Sequence, residues 1–306
     1  RRIPFEHAAY SAYWDRAPTE SHAIPTFASG AAGPYLPATA IKGALRTGML
    51  FANPDENTMR DVAARLQGDR PPRRPAEAVE EDLLGSGGAA RTRFLSASDS
   101  APVPTSTFKV YLIRVATLQS RAPGAYTLGW KQVPRGAVEG RRPDDSTPTF
   151  AEMASPGSVF EGDWQEKHFY DNPEVRRVLR WGNPVTRDRI FSEANQYAAK
   201  QLELQRHYAD WTGLEILAQQ IATLETRLNT VRENGGCLLS IGWGVGFTGK
   251  SAWLDTTDPD YRHILQTQAM YQRVLQSGLP FPKTRRIVFL NNQPATLPGW
   301  VELQVA

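Results

Sequence analysis

The sequence contains little cysteine, no long apolar run and no large excess of charge of either sign. Its one cysteine, Cys237, excludes a disulfide framework and any zinc or iron–sulfur site built from several cysteines. No apolar run approaches the roughly 20 residues that a membrane-spanning helix needs, so we expect no membrane partner. The first residues show no apolar signal-peptide core, which predicts a cytoplasmic protein.

Charge is nearly balanced, with 35 lysines and arginines against 32 aspartates and glutamates. A net charge of +3 does not by itself indicate nucleic-acid binding. Arginine, however, supplies 28 of the 35 basic residues. Two explanations stay open, because the arginine fork fits phosphate geometry and because a GC-rich genome enriches arginine together with alanine, glycine and proline.

Hydrophobic residues make up 41% of a chain that is long enough to bury a core and to form two domains. Helical periodicity predicts a helix over residues 39–51, with Thr39 as its N-cap, and one long helix over residues 190–233. Because helices and strands follow no regular βαβα order, we predict the α+β class. We also expect an irregular segment at residues 1–33, a surface insertion at residues 119–148 and a helix at residues 260–275.

The predicted helix at residues 39–51 carries cations where the helix macrodipole is positive. Lys42 and Arg46 lie four residues apart and therefore on one face. Cations at this end are disfavoured by roughly a few tenths of a kcal/mol each, and an anionic ligand would reverse that cost. Gly43, which lies between them, has no side chain and would let a ligand approach the backbone. A solvated basic face explains the same pattern equally well.

Residues 244–251 read GVGFTGKS, which matches the P-loop pattern G-x-x-x-x-G-K-[ST]. A P-loop would place Lys250 on phosphates and Ser251 on magnesium. We reject nucleotide hydrolysis because only 55 residues follow Ser251, and none of them form a strand that ends in an acidic residue. The residues directly after Ser251 also make a poor helix.

The wider segment at residues 241–247, IGWGVGF, alternates glycine with bulky apolar residues. Alternating glycines let backbone N–H groups approach a phosphate chain, and a lysine at the end would add charge. A tight bend with the aromatic residues in the core explains the segment as well. The phosphate-binding and the structural explanation are compatible with each other. The residues that we assign to this candidate loop are Gly242, Trp243, Gly244, Gly246, Phe247 and Lys250.

Two of these segments resemble the RAMP superfamily of CRISPR proteins. Residues 35–47, YLPATAIKGALRT, are similar to the superfamily segment YLPGSSLKGALRT, with Ala38 in place of glycine. Residues 242–247, GWGVGF, resemble its glycine-rich loop. Weaker similarities at residues 81–100, 154–160 and 282–301 point to the type III-A Csm subunit that caps the 3′ end of the crRNA.

The resemblance implies tandem ferredoxin-like, RRM-related units, which we place at residues 1–150 and 151–306. The family's N-terminal strand is not evident, so we expect the first unit to be incomplete. The implied function is that of a non-catalytic subunit of antiviral defence that grips the crRNA backbone and meets target RNA only indirectly. Its implied partners are neighbouring Csm backbone subunits and the cellular nucleases that mature the crRNA 3′ end. Lys42, Gly43 and Arg46 would face the phosphates, and the glycine loop would line the same groove.

Weaker RNA-binding candidates flank strand-like or turn segments: Arg91, Arg93, Arg187 and Arg189. We assign no catalytic residue, metal or cofactor, because the histidines show no metal-ligand spacing. Asp99, in a Ser-Asp-Ser turn, is expected to bond its own backbone. The alternatives that stay open are a Cmr-type RAMP subunit, a metal-independent RNase that processes crRNA and, more distantly, a P-loop NTPase.

Overall fold

The fold is described from a computed structural model that covers residues 3–17, 19, 22–67, 75–122, 124–132 and 140–306. Helices and strands are mixed along the chain, and the predicted α+β class is confirmed. The helices are α1 (Ala9–Arg16), α2 (Ala38–Ala52), α3 (Thr58–Gln67), α4 (Pro75–Leu84), α5 (Pro173–Val178), α6 (Arg187–Thr212), α7 (Glu215–Glu233), α8 (Pro259–Gln266) and α9 (Ala269–Gln276). The strands are β1 (Ser29–Gly30), β2 (Gly33–Pro34), β3 (Leu95–Ala97), β4 (Phe108–Ala122), β5 (Ala125–Trp130), β6 (Thr149–Ala154), β7 (Trp164–Glu166), β8 (Cys237–Ser240), β9 (Thr284–Leu290), β10 (Gln293–Thr296) and β11 (Trp300–Leu303).

A five-stranded antiparallel sheet is built around β4, with the strand order β10-β9-β4-β5 and with β6 also paired to β4. The first part of β4 pairs with β6, its middle with β9 and its end with β5. Ile113 has partners in both β6 and β9, so these two strands lie on opposite edges of β4. Smaller two-stranded sheets join β1 to β2, β3 to β7 and β8 to β11.

Both faces of β4 are buried. Val110 and Leu112 belong to the larger core beneath α6 and α7, whereas Tyr111 and Ile113 pack with Val288 in a smaller cluster. This partition follows from the alternation of side chains along a strand. A strand that is buried on both faces reads as a continuous apolar run, and the start of β4 does so.

The predicted division at residue 150 stays a prediction. Strand β6 runs through that position, and β4 pairs with β9 from the far end of the chain. The central sheet therefore draws its strands from both sides of residue 150.

The prediction of one helix over residues 190–233 is wrong, because the segment forms two helices, α6 and α7, which pack against each other. Gly213 separates them with φ 66° and ψ 23°, a left-handed conformation that glycine adopts without steric cost. The predicted apolar stripe is confirmed on α7. Its buried members are Leu217, Ile221, Leu228 and Val231.

Other local predictions are also wrong. Residues 1–33 include α1, and residues 260–275 contain two short helices, α8 and α9. The predicted insertion at residues 119–148 begins as a hairpin between β4 and β5, where Gly124 turns the chain with φ 75°. Residues 133–139 of that insertion lie outside the described residues.

Helix α2 begins at Ala38, and the N-cap position is Pro37, so the assignment of Thr39 as N-cap is wrong. The prolyl residue has no polar side-chain group that could bond the first free N–H groups of the helix. Asp99 does this instead, since its Oδ1 accepts a hydrogen bond from the Ala38 N–H at 2.7 Å. The expectation that Asp99 bonds its own backbone is therefore corrected: it caps a helix 61 residues away.

Ser100 completes this clamp on the segment before α2. Its Oγ accepts a hydrogen bond from the Leu36 N–H at 2.9 Å, and its own N–H donates to the Leu36 carbonyl at 3.0 Å. The Ser-Asp-Ser turn thus fixes both the entry and the first residue of α2.

Helix α2 meets α6 at a glycine. A Cβ placed on Gly48 would lie 2.7 Å from the Cα of Ala194, so the two backbones are in direct contact. Leu45 and Met49 are buried beside this crossing, as the helical periodicity predicts. Small residues at the crossing let the apolar stripe of α2 reach the core.

We predict that Gly48→Ala destabilises the protein by about 1–3 kcal/mol, because the added methyl group overpacks the helix crossing. Gly43→Ala is the matched control on the same helix. A Cβ at Gly43 meets no atom within 4 Å in the part of the chain that the structure describes, so this variant gains helix propensity and is stabilised by up to about 1 kcal/mol. Urea unfolding measures both, and a Gly48→Ala midpoint at or above that of the parent chain contradicts the close approach.

We further predict that Asp99→Ala lowers the free energy of unfolding by about 1 kcal/mol, the usual effect of removing a helix cap. Asp99→Asn keeps an acceptor for the Ala38 N–H and should retain most of that stability. Thermal unfolding compares the two variants. Equal losses in both would show that the carboxylate charge, rather than the hydrogen bond, stabilises α2.

Candidate nucleic-acid interface

Lys42 and Arg46 lie on one face of α2, as predicted, but they differ in their surroundings. Lys42 is exposed to solvent. Arg46 forms a two-pronged ion pair with Glu80 on α4, and its side chain is 43% exposed. Partial burial lowers the pKa of Arg46 from its ordinary value. A phosphate on this face therefore meets Lys42 directly and competes with Glu80 for Arg46.

Gly43 leaves the backbone of α2 open beside Lys42. No atom of the described residues lies within 4 Å of the position that its Cβ would take. An extended ligand can therefore contact the helix backbone at this point. We expected an anionic ligand at the start of α2. The Asp99 carboxylate of the chain itself takes part of that role, because it accepts a hydrogen bond from the Ala38 N–H.

The glycine loop, residues 242–250, follows β8 and begins with a 3₁₀ turn at Trp243–Val245. Gly242 and Gly246 flank the turn with φ of 91° and 72°, so both are left-handed positions that favour glycine. Gly244 is needed for another reason, because its Cβ would lie 2.6 Å from Cγ of Pro298. The alternating glycines thus shape a tight bend, as one of the two explanations from sequence proposed.

The two aromatic residues of the loop have different surroundings. Phe247 packs edge-on against Phe281 and Tyr271, with ring centroids 4.9 and 5.6 Å away. Trp243 is 43% exposed, and the Arg286 guanidinium lies 4.5 Å above its ring. Phe247 is therefore partly buried and packs against the core, whereas Trp243 is on the surface with Lys250, which is exposed at the end of the loop.

Three polar side chains of α6 hold the loop from below. Tyr197 Oη lies 2.7 Å from the Thr248 carbonyl, Gln201 Nε2 donates to the same carbonyl at 2.9 Å, and Gln205 Nε2 donates to Thr248 Oγ1 at 3.0 Å. Burial raises the pKa of Tyr197 above its ordinary value, which keeps the phenol protonated as a donor. These residues were not predicted from the sequence, although their spacing of four places them on one helix face.

Helix α2 and the glycine loop share one support. Tyr197 contacts the loop through its hydroxyl group, and its ring lies 5.3 Å from that of Phe51 on α2. Ala194, one turn earlier on α6, contacts Gly48. The two segments that the sequence analysis selected are therefore held on the same helix.

The loop does not form a P-loop. A P-loop needs a helix that starts at its lysine, but residues 246–250 form turns and the next helix, α8, starts at Pro259. The Ser251 hydroxyl donates to the Trp253 carbonyl at 2.6 Å and lies 2.8 Å from Tyr261 Oη. It is therefore engaged within the protein rather than presented to a metal-bound nucleotide.

The weaker arginine candidates are dispersed. Arg91 and Arg93 lie in a 3₁₀ turn before β3, where Arg93 is exposed. Arg187 begins α6, with its Nε 3.8 Å from Glu166 and 3.5 Å from Asp188. Arg189 donates through Nε to Glu193 at 2.9 Å and through Nη2 to Asn53 at 3.3 Å.

The contacts of Arg189 connect the start of α6 to the end of α2, which is a structural role. None of the four arginines lines the cleft between the glycine loop and the sheet. Whether they contact RNA stays a prediction.

A cleft of about 200 Å³ lies between the glycine loop and the sheet; we call it the loop–sheet cleft. Lys131, Arg285 and Arg286 line it, and none of them was predicted from the sequence to bind RNA. Arg285 is 8% exposed, and burial lowers its pKa to about 10. The signal for this cleft in the sequence is the pair of adjacent arginines, Arg285 and Arg286. They lie in residues 282–301, a segment that we noted only for its similarity to the Csm subunit.

Among the described residues, no cluster of three or more His, Cys, Asp or Glu side chains could hold a metal ion. Within the same part of the chain, no helix is long and apolar enough to cross a membrane.

Two solved structures are similar to this chain. One is a chain of the Csm-crRNA-target RNA ternary complex of a type III-A CRISPR-Cas system, which matches with a TM-score of 0.55 at 17% identity, over 92% of this chain and 75% of that chain. Another is T. onnurineus Csm5, with a TM-score of 0.49 at 16% identity, over 92% of this chain and 74% of that chain. No curated protein sequence matches.

The family comparison covers both segments that the sequence analysis selected. The family model described as RAMP superfamily matches residues 23–247, which include all of α2, α6 and β8 and the start of the glycine loop. The similarity that we noted at residues 35–47 and 242–247 lies within this match. The chain belongs to the RAMP superfamily.

Proposed function

We propose that this chain is a non-catalytic crRNA-binding subunit of a type III-A Csm effector complex, where it caps the 3′ end of the crRNA in the cytoplasm. The observation that carries the proposal is the open backbone at Gly43 beside the exposed Lys42, on a RAMP-superfamily chain. The fold of a chain from a Csm-crRNA-target RNA complex supports it. We propose that the chain, in this role, also supports crRNA maturation and antiviral defence.

The surface of α2 suits binding to an RNA backbone rather than to bases. Lys42 offers a point charge, and Gly43 removes the side chain that would keep a phosphate away from the helix. Arg46 adds a second cation four residues on. It pairs with the Glu80 carboxylate until a phosphate displaces that carboxylate. Contacts of this kind fix position without reading sequence.

The glycine loop provides the second contact. Trp243 and Lys250 are exposed on it, and its glycines bring the backbone close to any ligand that crosses the bend. Because Tyr197 holds the loop and also contacts α2, the two contact regions are presented on one frame. A preorganised frame lowers the entropic cost of binding an extended strand.

The proposed partners are the crRNA, the neighbouring Csm backbone subunits, the target RNA only through the crRNA, and cellular nucleases that trim the bound crRNA. We propose two ferredoxin-like units for this task, divided near residue 150. The binding is electrostatic, and its strength should fall steeply with salt.

We predict that Gly43→Leu and Lys42→Gln each weaken binding of a labelled single-stranded RNA to the purified chain. Leu at position 43 blocks the open backbone, and Gln at position 42 should reduce the salt slope of log Kd by about 0.7, the value for one lost phosphate contact. Fluorescence anisotropy at several salt concentrations measures both effects. The matched control is Gly182→Leu, at another glycine with open space around its Cβ. Equal binding by all three variants and the parent chain would contradict the proposed surface.

We predict that the bound RNA keeps its full length. Denaturing gels of the same samples, with and without divalent metal, measure its length over time. Shortening by the parent chain in the presence of a metal chelator would instead favour the metal-independent RNase.

The chain should also fail to bind ATP, and ATP binding that is lost in Lys250→Ala would favour the P-loop alternative.

A further inference from the structure

The loop–sheet cleft has an unbalanced charge. Lys131, Arg285 and Arg286 contribute three cations to its walls, and no aspartate or glutamate is found among the described residues that line it. Its other polar lining consists of neutral side chains, including Gln201, Gln205 and Thr248. A concave surface with one sign of charge concentrates ions of the opposite sign.

Arg285 is the buried member of this set. Its Nε donates to Gln205 Oε1, and its Nη1 donates to the carbonyls of Pro282 and Thr284 at 2.6 and 3.0 Å. The guanidinium also lies 4.5 Å from the centre of the Tyr208 ring. All of these partners are neutral, although buried charges in proteins are normally matched by an opposite charge.

Arg286 occupies the loop side of the cleft. Its guanidinium stacks over Trp243 at 4.5 Å, which orients the planar fork. Lys131 directly follows β5, is exposed and also lines the cleft. Arginine forks bind two oxygens of one phosphate, and a lysine adds a point charge.

The volume of the cleft limits the ligand. About 200 Å³ is smaller than the roughly 300–1,000 Å³ of pockets that enclose drug-sized ligands. A tetrahedral oxyanion fits this space, whereas a whole nucleotide must extend out of it. The remainder of such a ligand would lie along the exposed glycine loop.

We propose that the loop–sheet cleft is a binding site for a phosphate group, with Arg285 as its floor and with Arg286 and Lys131 at its sides. The identity of the ligand rests on the proposed function, because a chain that binds crRNA meets phosphate groups in the RNA backbone. The site extends the glycine loop contact inward, from the loop surface to the first residues of β9.

The test uses the double variant Lys131→Gln/Arg286→Gln of the full chain. Its control is Arg121→Gln/Arg232→Gln, which removes the same net charge at two exposed arginines that do not line the cleft. Arg286→Lys is a third variant that keeps the charge and loses the fork. Each is compared by thermal unfolding first, so that a folding defect is recognised.

Two probes distinguish the sources of the phosphate. Inorganic phosphate, compared with chloride at equal ionic strength, should raise the melting temperature of the parent chain and of the control but not of the cleft variant. A labelled single-stranded RNA should bind the cleft variant about tenfold more weakly than the control, as expected for lost charged hydrogen bonds. Arg286→Lys should fall between the two.

Loss of RNA affinity in the cleft variant alone identifies the RNA backbone as the source. Loss of the phosphate effect with unchanged RNA affinity identifies a free phosphate. If neither probe distinguishes the cleft variant from its control, the site does not exist. If Gly43→Leu still weakens RNA binding in that case, the proposed function stands without the cleft.

Discussion

The close approach of α2 to α6 at Gly48 and Ala194 is the contact on which the candidate surface depends. It sets the depth of α2 in the protein and therefore leaves Lys42 and Gly43 on the outside. It also brings Phe51 to Tyr197, whose hydroxyl group holds the glycine loop at Thr248. A side chain at position 48 would move α2 relative to the loop, and the two would no longer present one surface.

The buried polar residues of α6 extend this dependence to the cleft. The amide of Gln205 is used at both ends, because Nε2 donates to Thr248 Oγ1 and Oε1 accepts from Arg285 Nε. A buried amide that lost one partner would leave a polar group unsatisfied, which costs about 1–3 kcal/mol. Loop conformation and the position of Arg285 are therefore energetically coupled, and substitutions at the two places should not be additive.

The sequence reveals the parts of this arrangement that depend on local pattern. The apolar stripe with Leu45 and Met49, the strand at β8 and the exposed Lys42 follow from helical or strand periodicity. The break at Gly213 was missed because residues with helical periodicity lie on both sides of it, and a single glycine inside a periodic segment does not by itself end a helix.

The partners of the site residues could not be predicted, since they come from distant parts of the chain. Glu80 pairs with Arg46 across 34 residues, and Asp99 caps α2 across 61 residues. Arg285 approaches Gln205 across 80 residues. Such contacts are set by the packing of whole elements, about which the spacing of charges along the sequence carries no information.

Two glycines of α2 show what the fold explains and what it does not. Gly48 is required, because no side chain fits between the helices. Gly43 has no such reason, since its surroundings are open and it lies in the interior of a helix, where glycine is about 1 kcal/mol less favourable than alanine. Among the described residues, nothing within 4 Å of its Cβ position offsets that cost. A ligand backbone that lies against α2 at this position would offset it, and only a residue without a side chain leaves room for one.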